Sequence, residues 1–225
     1  MSEQTAQAQS LHRIFSSLTP SSCPSLHNFH MHTTCSDGRL KPAELIQQAL
    51  SLGLQNLAIT DHHSVDGFQA ARSWLERQQW QTGRLLLKPV LWSGIEINAR
   101  LLGIEVHILG YAFDDQHIAL RPYVKCHASK GGDYDAQQVI AALHQAGGLV
   151  VLAHPCRYRV KAEQLIPAAA ELGIDGVEGY YAYDNPSPWR PSPRQTQVVV
   201  DLAEPHGLLV TCGTDTHGRN LLQRI

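Results

Sequence analysis

The 225-residue chain lacks several things that would assign it to a class at once. No stretch approaches the ~18 consecutive apolar residues of a membrane span, and the first 22 residues carry Glu3, His12 and Arg13 where a signal peptide would need an apolar core. A soluble, cytoplasmic protein is the expectation. There is little net charge: 18 Lys and Arg against 20 Asp and Glu leave −2, with a pI near 6.7. That excludes the global basic field needed to neutralise many phosphates along a nucleic-acid duplex. Cysteines number only five (Cys23, Cys35, Cys126, Cys156 and Cys212) and nowhere form C-x-x-C. Neither a disulfide framework nor a thiolate zinc site is suggested, and free thiols suit a reducing compartment. Long low-complexity tracts are scarce, and with 43% hydrophobic residues the chain can bury a substantial core.

Histidine is what the chain does have: 13, against 4 phenylalanines and 4 tryptophans. Imidazole is the commonest metal ligand, so placement decides what the count means.

Strand and helix patterns alternate along the chain. The segment 1–24, rich in Ser, Gln and Thr and punctuated by Pro20 and Pro24, reads as a flexible lead-in to a single domain over 25–225. Strands are expected over 26–31, 56–60, 85–92, 149–153, 175–178 and 208–212, with a hairpin over 95–109 turning near Gly103. Helices are expected from Pro42 to Gly53 and over 65–79, 136–145, 162–172 and 195–205. The segment 114–135 has little periodicity and reads as a short loop or insertion. Apolar strands alternating with helices imply largely parallel pairing with covered faces, satisfied by a (β/α) barrel or a doubly wound sheet.

Ligand-type residues cluster where these strands end. His30 and His32 have the period-2 spacing that points two side chains to one face. Asp61 and His62 end the second strand, Glu96 follows the third, His107 lies late in the hairpin, His154 ends the 149–153 strand, and Asp215 and His217 follow the last. A strand-end Asp often caps the next helix, and Asp37 before Gly38 suits a turn. Those readings must be invoked separately at each strand end. One multinuclear metal site covers them together, with imidazole and carboxylate donors suited to Zn, Mn or Fe.

Phe29-His30-Met31-His32-Thr33, Ser36-Asp37-Gly38, Ile59-Thr60-Asp61-His62, Gly94-Ile95-Glu96, Ala153-His154-Pro155 and Gly213-Thr214-Asp215-Thr216-His217-Gly218 resemble, in order, the motifs of the polymerase and histidinol phosphatase (PHP) superfamily. The resemblance implies an α/β fold, a distorted seven-stranded (β/α) TIM-like barrel, with three divalent ions (Mn, Zn or Fe) at its carboxyl mouth. Carried over by position, His30, His32, Glu96 and Asp215 hold one metal, Glu96 bridges to a second held by His107 and His154, and Asp37, His62 and His217 take the third. Three divalent ions against three carboxylates leave a local positive excess that favours a phosphate dianion. Small family members acting on nucleotides are the most similar, which implies hydrolysis of a phosphomonoester such as a nucleoside 3′,5′-bisphosphate by a metal-bridging hydroxide.

Alternatives are a histidinol-phosphate phosphatase, a short-RNA 5′-to-3′ exonuclease and a catalytically silent module. Scattered basic residues (Lys125, Lys130, Arg157, Arg159, Arg190 and Arg194) would suit RNA or simply form solvated faces. Arg157 is the candidate phosphate clamp or one of those exposed arginines. Asp61 is expected to orient a ligand histidine or cap a helix. Glu178 reads as an orienting group or a ribose acceptor. The aromatic loop around Tyr180, Tyr181, Tyr183 and Trp189 reads as a base-stacking surface or as rim packing.

Overall fold

Pro42 at the first turn and Gly53 in the left-handed conformation just past the last bracket a helix where the sequence expects one, Pro42–Leu52. The computed structural model describes residues 3–82 and 88–225. In chain order its regular elements are α1 (Glu3–Phe15), β1 (His27–Asn28), α2 (Pro42–Leu52), β2 (Asn56–Ala58), α3 (Asp66–Thr82), β3 (Val90–Trp92), β4 (Gly94–Leu101) and β5 (Ile104–Tyr111). Then follow α4 (Ala136–Gln145), β6 (Leu149–Leu152), α5 (Ala162–Glu171), β7 (Gly176–Tyr180), α6 (Pro193–Ala203) and β8 (Leu209–Cys212). Of the strand expected over 85–92, residues 85–87 lie outside the described residues. The 114–135 segment is irregular apart from 3-10 turns at Ile118–Leu120 and Gly131–Tyr134.

Among the described residues the strands form two sheets rather than one closed seven-stranded barrel. β1, β2 and β3 pair in parallel in that order, and β4 to β8 form a five-stranded sheet in chain order. Within the larger sheet β4/β5 and β5/β6 are antiparallel, whereas β6/β7 and β7/β8 are parallel. The β4–β5 hairpin explains the mixture, because two strands joined by a tight turn must run antiparallel. The sheets meet at two seams through isolated pairs, Met31 with Thr216 and His62 with Glu96. Expected strand residues beyond Asn28 leave the ladder there. Phe29 N–H donates to the Cys212 carbonyl and Thr60 N–H to that of Met31, so the backbone alternates between two neighbours.

Both seams need glycine. A Cβ on Gly94 would lie 2.4 Å from the Ile59 carbonyl oxygen, and one on Gly213 would lie 2.2 Å from the His30 Cβ.

Three apolar clusters support this frame. α2 and α3 cover the small sheet through Leu45, Ile46, Ala71 and Leu75 against Leu57 and Ile59. α4, α5 and α6 cover the large one through residues such as Leu143, Leu165 and Val199. A third cluster lies between the sheets and includes Ala58, Trp92, Leu109, Val151 and Cys212, closed by Leu11 and Phe15 of α1.

The first segment is therefore not the flexible lead-in expected from its composition. Ala8, Leu11, Phe15 and Leu18 are spaced to form one stripe along a helix and its exit turn, and all four join that cluster. Phe15 packs edge-on against Phe29 and Tyr111, at centroid distances of 4.9 and 5.4 Å. Polar residues between the stripe positions mask it in a composition count, and tertiary burial stabilises the helix.

Candidate metal centre

The extended segment after β1 presents His30 and His32, held by backbone bonds to the loop after β8: Asp215 N–H donates to the His30 carbonyl and His32 N–H to that of Thr216. The Asp37 turn is shaped by Asp61, a buried carboxylate that accepts from Thr33 N–H (2.6 Å), Thr33 Oγ1 (2.7 Å) and Ser36 Oγ (2.7 Å). This corrects the expectation for Asp61. Its oxygens reach the turn that carries Asp37 and no histidine, and the serine and threonine that draw it there are local features of the T-T-C-S-D-G segment.

The structure brings His30, His32, Glu96 and Asp215 into one fully buried group. His30 Nε2 lies 3.1 Å from Glu96 Oε2 and 3.4 Å from Asp215 Oδ1; His32 Nε2 lies 3.1 and 3.2 Å from the same two oxygens. A second group joins Asp37, His62 and His217 with His32, and His217 Nε2 is 3.2 Å from Asp37 Oδ2. His32 belongs to both, since its Nδ1 faces Asp37 Oδ1 at 3.6 Å. The third group is His62, Glu96 and His107. The sequence reading places His154 with Glu96 and His107. In the structure His154 Nε2 stands 3.4 Å from Glu96 Oε1, outside the tight cluster in which His62 takes its place. Glu96 links the groups: Oε1 faces His107 at 2.7 Å and His154, whereas Oε2 faces His30, His32 and, at 3.4 Å, His62.

Donor chemistry and spacing fit divalent cations. Ligands about 2.1 Å from a common ion stand about 3.0 to 3.4 Å from one another in octahedral or tetrahedral arrangements. The His32 contacts have that separation, yet neither His32 nitrogen has a hydrogen-bond partner, and His62 Nδ1 and His154 Nδ1 are likewise unpartnered. Buried polar atoms left unpaired are costly, and a bound ion would satisfy the converging lone pairs. The backbone carries strain here as well: His154 and Asp215 adopt φ of 29° and 52°.

The buried carboxylates draw positive charge. Burial opposes a charge on His30, but Glu178, Glu96 and Asp215 outweigh it and hold its pKa well above the ordinary imidazole value. His32 is likewise pushed to about 9, against burial, by Asp215 and Glu96. Glu96 and Asp215 are held well below the carboxylate range because His30 and its neighbours outweigh their own burial. His62 goes the other way, to about 4, because burial exceeds the pull of Glu96. The cluster is thus a buried anionic centre that accumulates protons or cations.

Arg157 lies at the edge of this centre. It is not a free arginine on a solvated face: Nη1 donates to Asp215 Oδ2 (3.0 Å) and to the Tyr181 hydroxyl (3.1 Å), with the side chain 36% exposed. The same Asp215 oxygen accepts from Arg224 Nε (2.8 Å) and Tyr181 OH (2.6 Å). Arg224 is missing from the sequence reading, and no local motif marks it. Tyr181 is buried with its ring against His154 and Tyr183, and Trp189 is buried in the apolar cluster that α1 closes, so this part of the aromatic loop packs the rim. Glu178 hydrogen-bonds His30 Nδ1 (2.9 Å) and accepts from His154 N–H (3.0 Å), which makes it an orienting group, and its complete burial keeps it from a ribose. Sequence could flag it only as a carboxylate near a strand end.

The sequence profile of the PHP domain matches residues 28–154. The 5′-3′ exoribonuclease Rnm of Salmonella typhimurium is 26% identical, with 85% of each chain covered. That alignment spans 263 positions, more than the 225 residues here, so the relative carries residues with no counterpart in this chain. A 3′,5′-nucleoside bisphosphate phosphatase of Chromobacterium violaceum is 31% identical over 120 residues, which cover 53% of this chain and 39% of that one. Among solved structures, a Bifidobacterium adolescentis protein assigned as a metal-dependent phosphoesterase superposes with a TM-score of 0.67 at 25% identity, covering 87% of this chain and 89% of the other.

Proposed function

The chain belongs to the PHP domain family of metal-dependent phosphoesterases, and from that premise we propose that it hydrolyses a phosphomonoester of a small nucleotide, such as a nucleoside 3′,5′-bisphosphate. The observation that carries this reading is the set of buried nitrogens and carboxylate oxygens 3.1 to 3.4 Å apart around Glu96 and Asp215, with His32 otherwise unpartnered. His30, His32, Glu96 and Asp215 would hold one divalent ion, His107 and His154 a second that shares Glu96, and Asp37, His62 and His217 a third. Manganese, zinc and iron all suit such mixed donors.

Ions bound there would acidify water toward neutral pH and polarise phosphate oxygens. The protein's own groups supply the rest. Glu96 sets the spacing between donor groups by facing them with different oxygens. Arg157, at the accessible edge, would exchange its bond to Asp215 for two oxygens of an incoming phosphate, since a guanidinium binds such oxygens in pairs. Asp61 keeps Asp37 in reach through the Thr33–Ser36 turn. The free thiols of all five cysteines support a reducing, cytoplasmic setting.

A second reading, 5′-to-3′ hydrolysis of short RNA, is favoured by the Salmonella relative aligned over most of both chains.

Protein purified without chelator should carry transition metal by elemental analysis. It should release inorganic phosphate from a nucleoside 3′,5′-bisphosphate in preference to histidinol phosphate. Release of mononucleotides from a 5′-phosphorylated oligoribonucleotide at a higher kcat/KM would select the RNA reading. Less than one equivalent of metal per chain, with no hydrolysis after Mn, Zn or Fe is added, overturns both.

A further inference from the structure

We propose that Glu178 is a positioning residue that ties two candidate ligand histidines together and sets which imidazole nitrogen His30 presents to a metal. The inference rests on the reading of His30 and His154 as ligands and adds a residue outside that set.

Glu178 is completely buried, and both carboxylate oxygens are engaged. Oε1 meets His30 Nδ1 at 2.9 Å and Oε2 accepts from the His154 backbone N–H at 3.0 Å. An ionised carboxylate only accepts, so His30 Nδ1 must carry the proton. Nε2, which faces Glu96 and Asp215, is then the nitrogen that would give up its proton to take a cation. The second bond steadies a strained peptide, since His154 sits at φ 29° and ψ 60°.

The aim of Glu178 follows from a local irregularity. β7 pairs regularly with β8 up to Glu178 opposite Thr211, and the register then slips so that Tyr180 lies opposite Cys212. Such bulges bend a strand and re-aim side chains. The extra residue is Gly179, where a Cβ would lie 2.5 Å from Val210 Cγ1, so a larger residue there would have to displace the Val210 side chain. From this position Glu178 bridges between the segment after β1 and the end of β6. The His30 and His154 rings are nearly parallel, with centroids 5.7 Å apart.

Glu178→Gln tests this. Its amide has one acceptor where the carboxylate has two, so His30 Nδ1–H and His154 N–H cannot both be satisfied. Zinc affinity, measured by competition with a chromogenic chelator, should fall about 10- to 100-fold, as for other groups that orient ligand histidines. Metal-free melting temperature should fall by several degrees, the cost of one stranded buried donor, with unfolding still cooperative, so that zinc affinity is compared between folded proteins. Zinc affinity equal to wild type in the folded variant overturns the proposal. If the variant does not fold, the histidine ¹⁵N spectrum of zinc-loaded wild type decides: His30 protonated at Nδ1 and ligated through Nε2 supports the proposal, and ligation through Nδ1 overturns it. Wild-type protein that binds no zinc defeats the metal-centre reading itself, whereas zinc-binding wild type with an unaffected variant defeats only the role of Glu178.

Discussion

Replacing Asp61 separates its structural role from that of a metal ligand. Its carboxylate accepts three hydrogen bonds of 2.6 to 2.7 Å, two on Oδ1 from Thr33 N–H and Ser36 Oγ and one on Oδ2 from Thr33 Oγ1. Asp61 and Thr33 are fully buried, whereas Ser36 is partly exposed and can turn to water. Asp61→Ala therefore strands two buried donors, each worth about 1 to 3 kcal/mol when left unpaired, and should cost about 3 to 5 kcal/mol. Asp61→Asn retains an acceptor in the Oδ1 position, and the Thr33 hydroxyl can rotate to accept from the new amide. Thr33 Oγ1 already accepts from Cys35 N–H, so its own proton loses its acceptor along with the charge assistance, and the cost should be about 1 to 3 kcal/mol, less than for the alanine. Urea unfolding of metal-free protein measures both without involving a cation. On elemental analysis the alanine variant should lose up to one equivalent of metal, because only the Asp37-bearing turn depends on this network. A cost below about 1 kcal/mol for Asp61→Ala, or equal costs for the two variants, refutes the reasoning.

Phe15→Ala should destabilise the protein by about 3 to 5 kcal/mol, since the ring is buried against Phe29 and Tyr111; a change within about 0.5 kcal/mol in urea melts would mean that α1 is dispensable. His154→Ala and Asp215→Asn should each lower kcat/KM by more than the roughly 100-fold typical of groups that merely orient ligands, with near-wild-type far-ultraviolet circular dichroism, and wild-type turnover in either defeats the assigned site. Away from the centre, the Asp175 carboxylate 2.9 Å from His144 Nε2 raises the pKa of this imidazole above 6.5, a shift that NMR titration should show. Because the folded value is the higher one, the pair stabilises fully below about pH 6.5 and fades as pH rises through the folded pKa. Both side chains are about a third exposed, so His144→Ala should cost no more than about 1 kcal/mol, and an equal cost at pH 5.5 and pH 9 would contradict the pairing.

Much of the element order is legible because it rests on short-range signals. Pro42 and Gly53 delimit α2, the 95–109 pattern gives the hairpin, and period-2 spacing brings His30 and His32 to one group. Failures occur where long-range contacts override local pattern. The α1 stripe is too sparse to outweigh its polar neighbours until Phe29 and Tyr111 cover it. The strand expected over 26–31 shortens to His27–Asn28 because its backbone divides its bonds between β2 and the β8 side. Barrel closure depends on how two sheets meet at their seams, a property of packing that strand count alone does not specify.

The sequence by itself determined the chemistry of this protein. Imidazoles and carboxylates recur at strand ends, in combinations suited to divalent cations, because residue type and two-residue periodicity are local properties. Only the tertiary structure decided which atom meets which. It gave His32 a nitrogen toward each of two groups, turned the two oxygens of Glu96 to different histidines and brought His62 beside Glu96 and His107 as well. It also sent Asp61 to a turn, and brought Arg224 and Glu178 to Asp215 and His30. His30 and Glu178 are 148 residues apart. Their contact is set by the seam between two sheets and a one-residue slip in β7, for which no local run of sequence carries a signal.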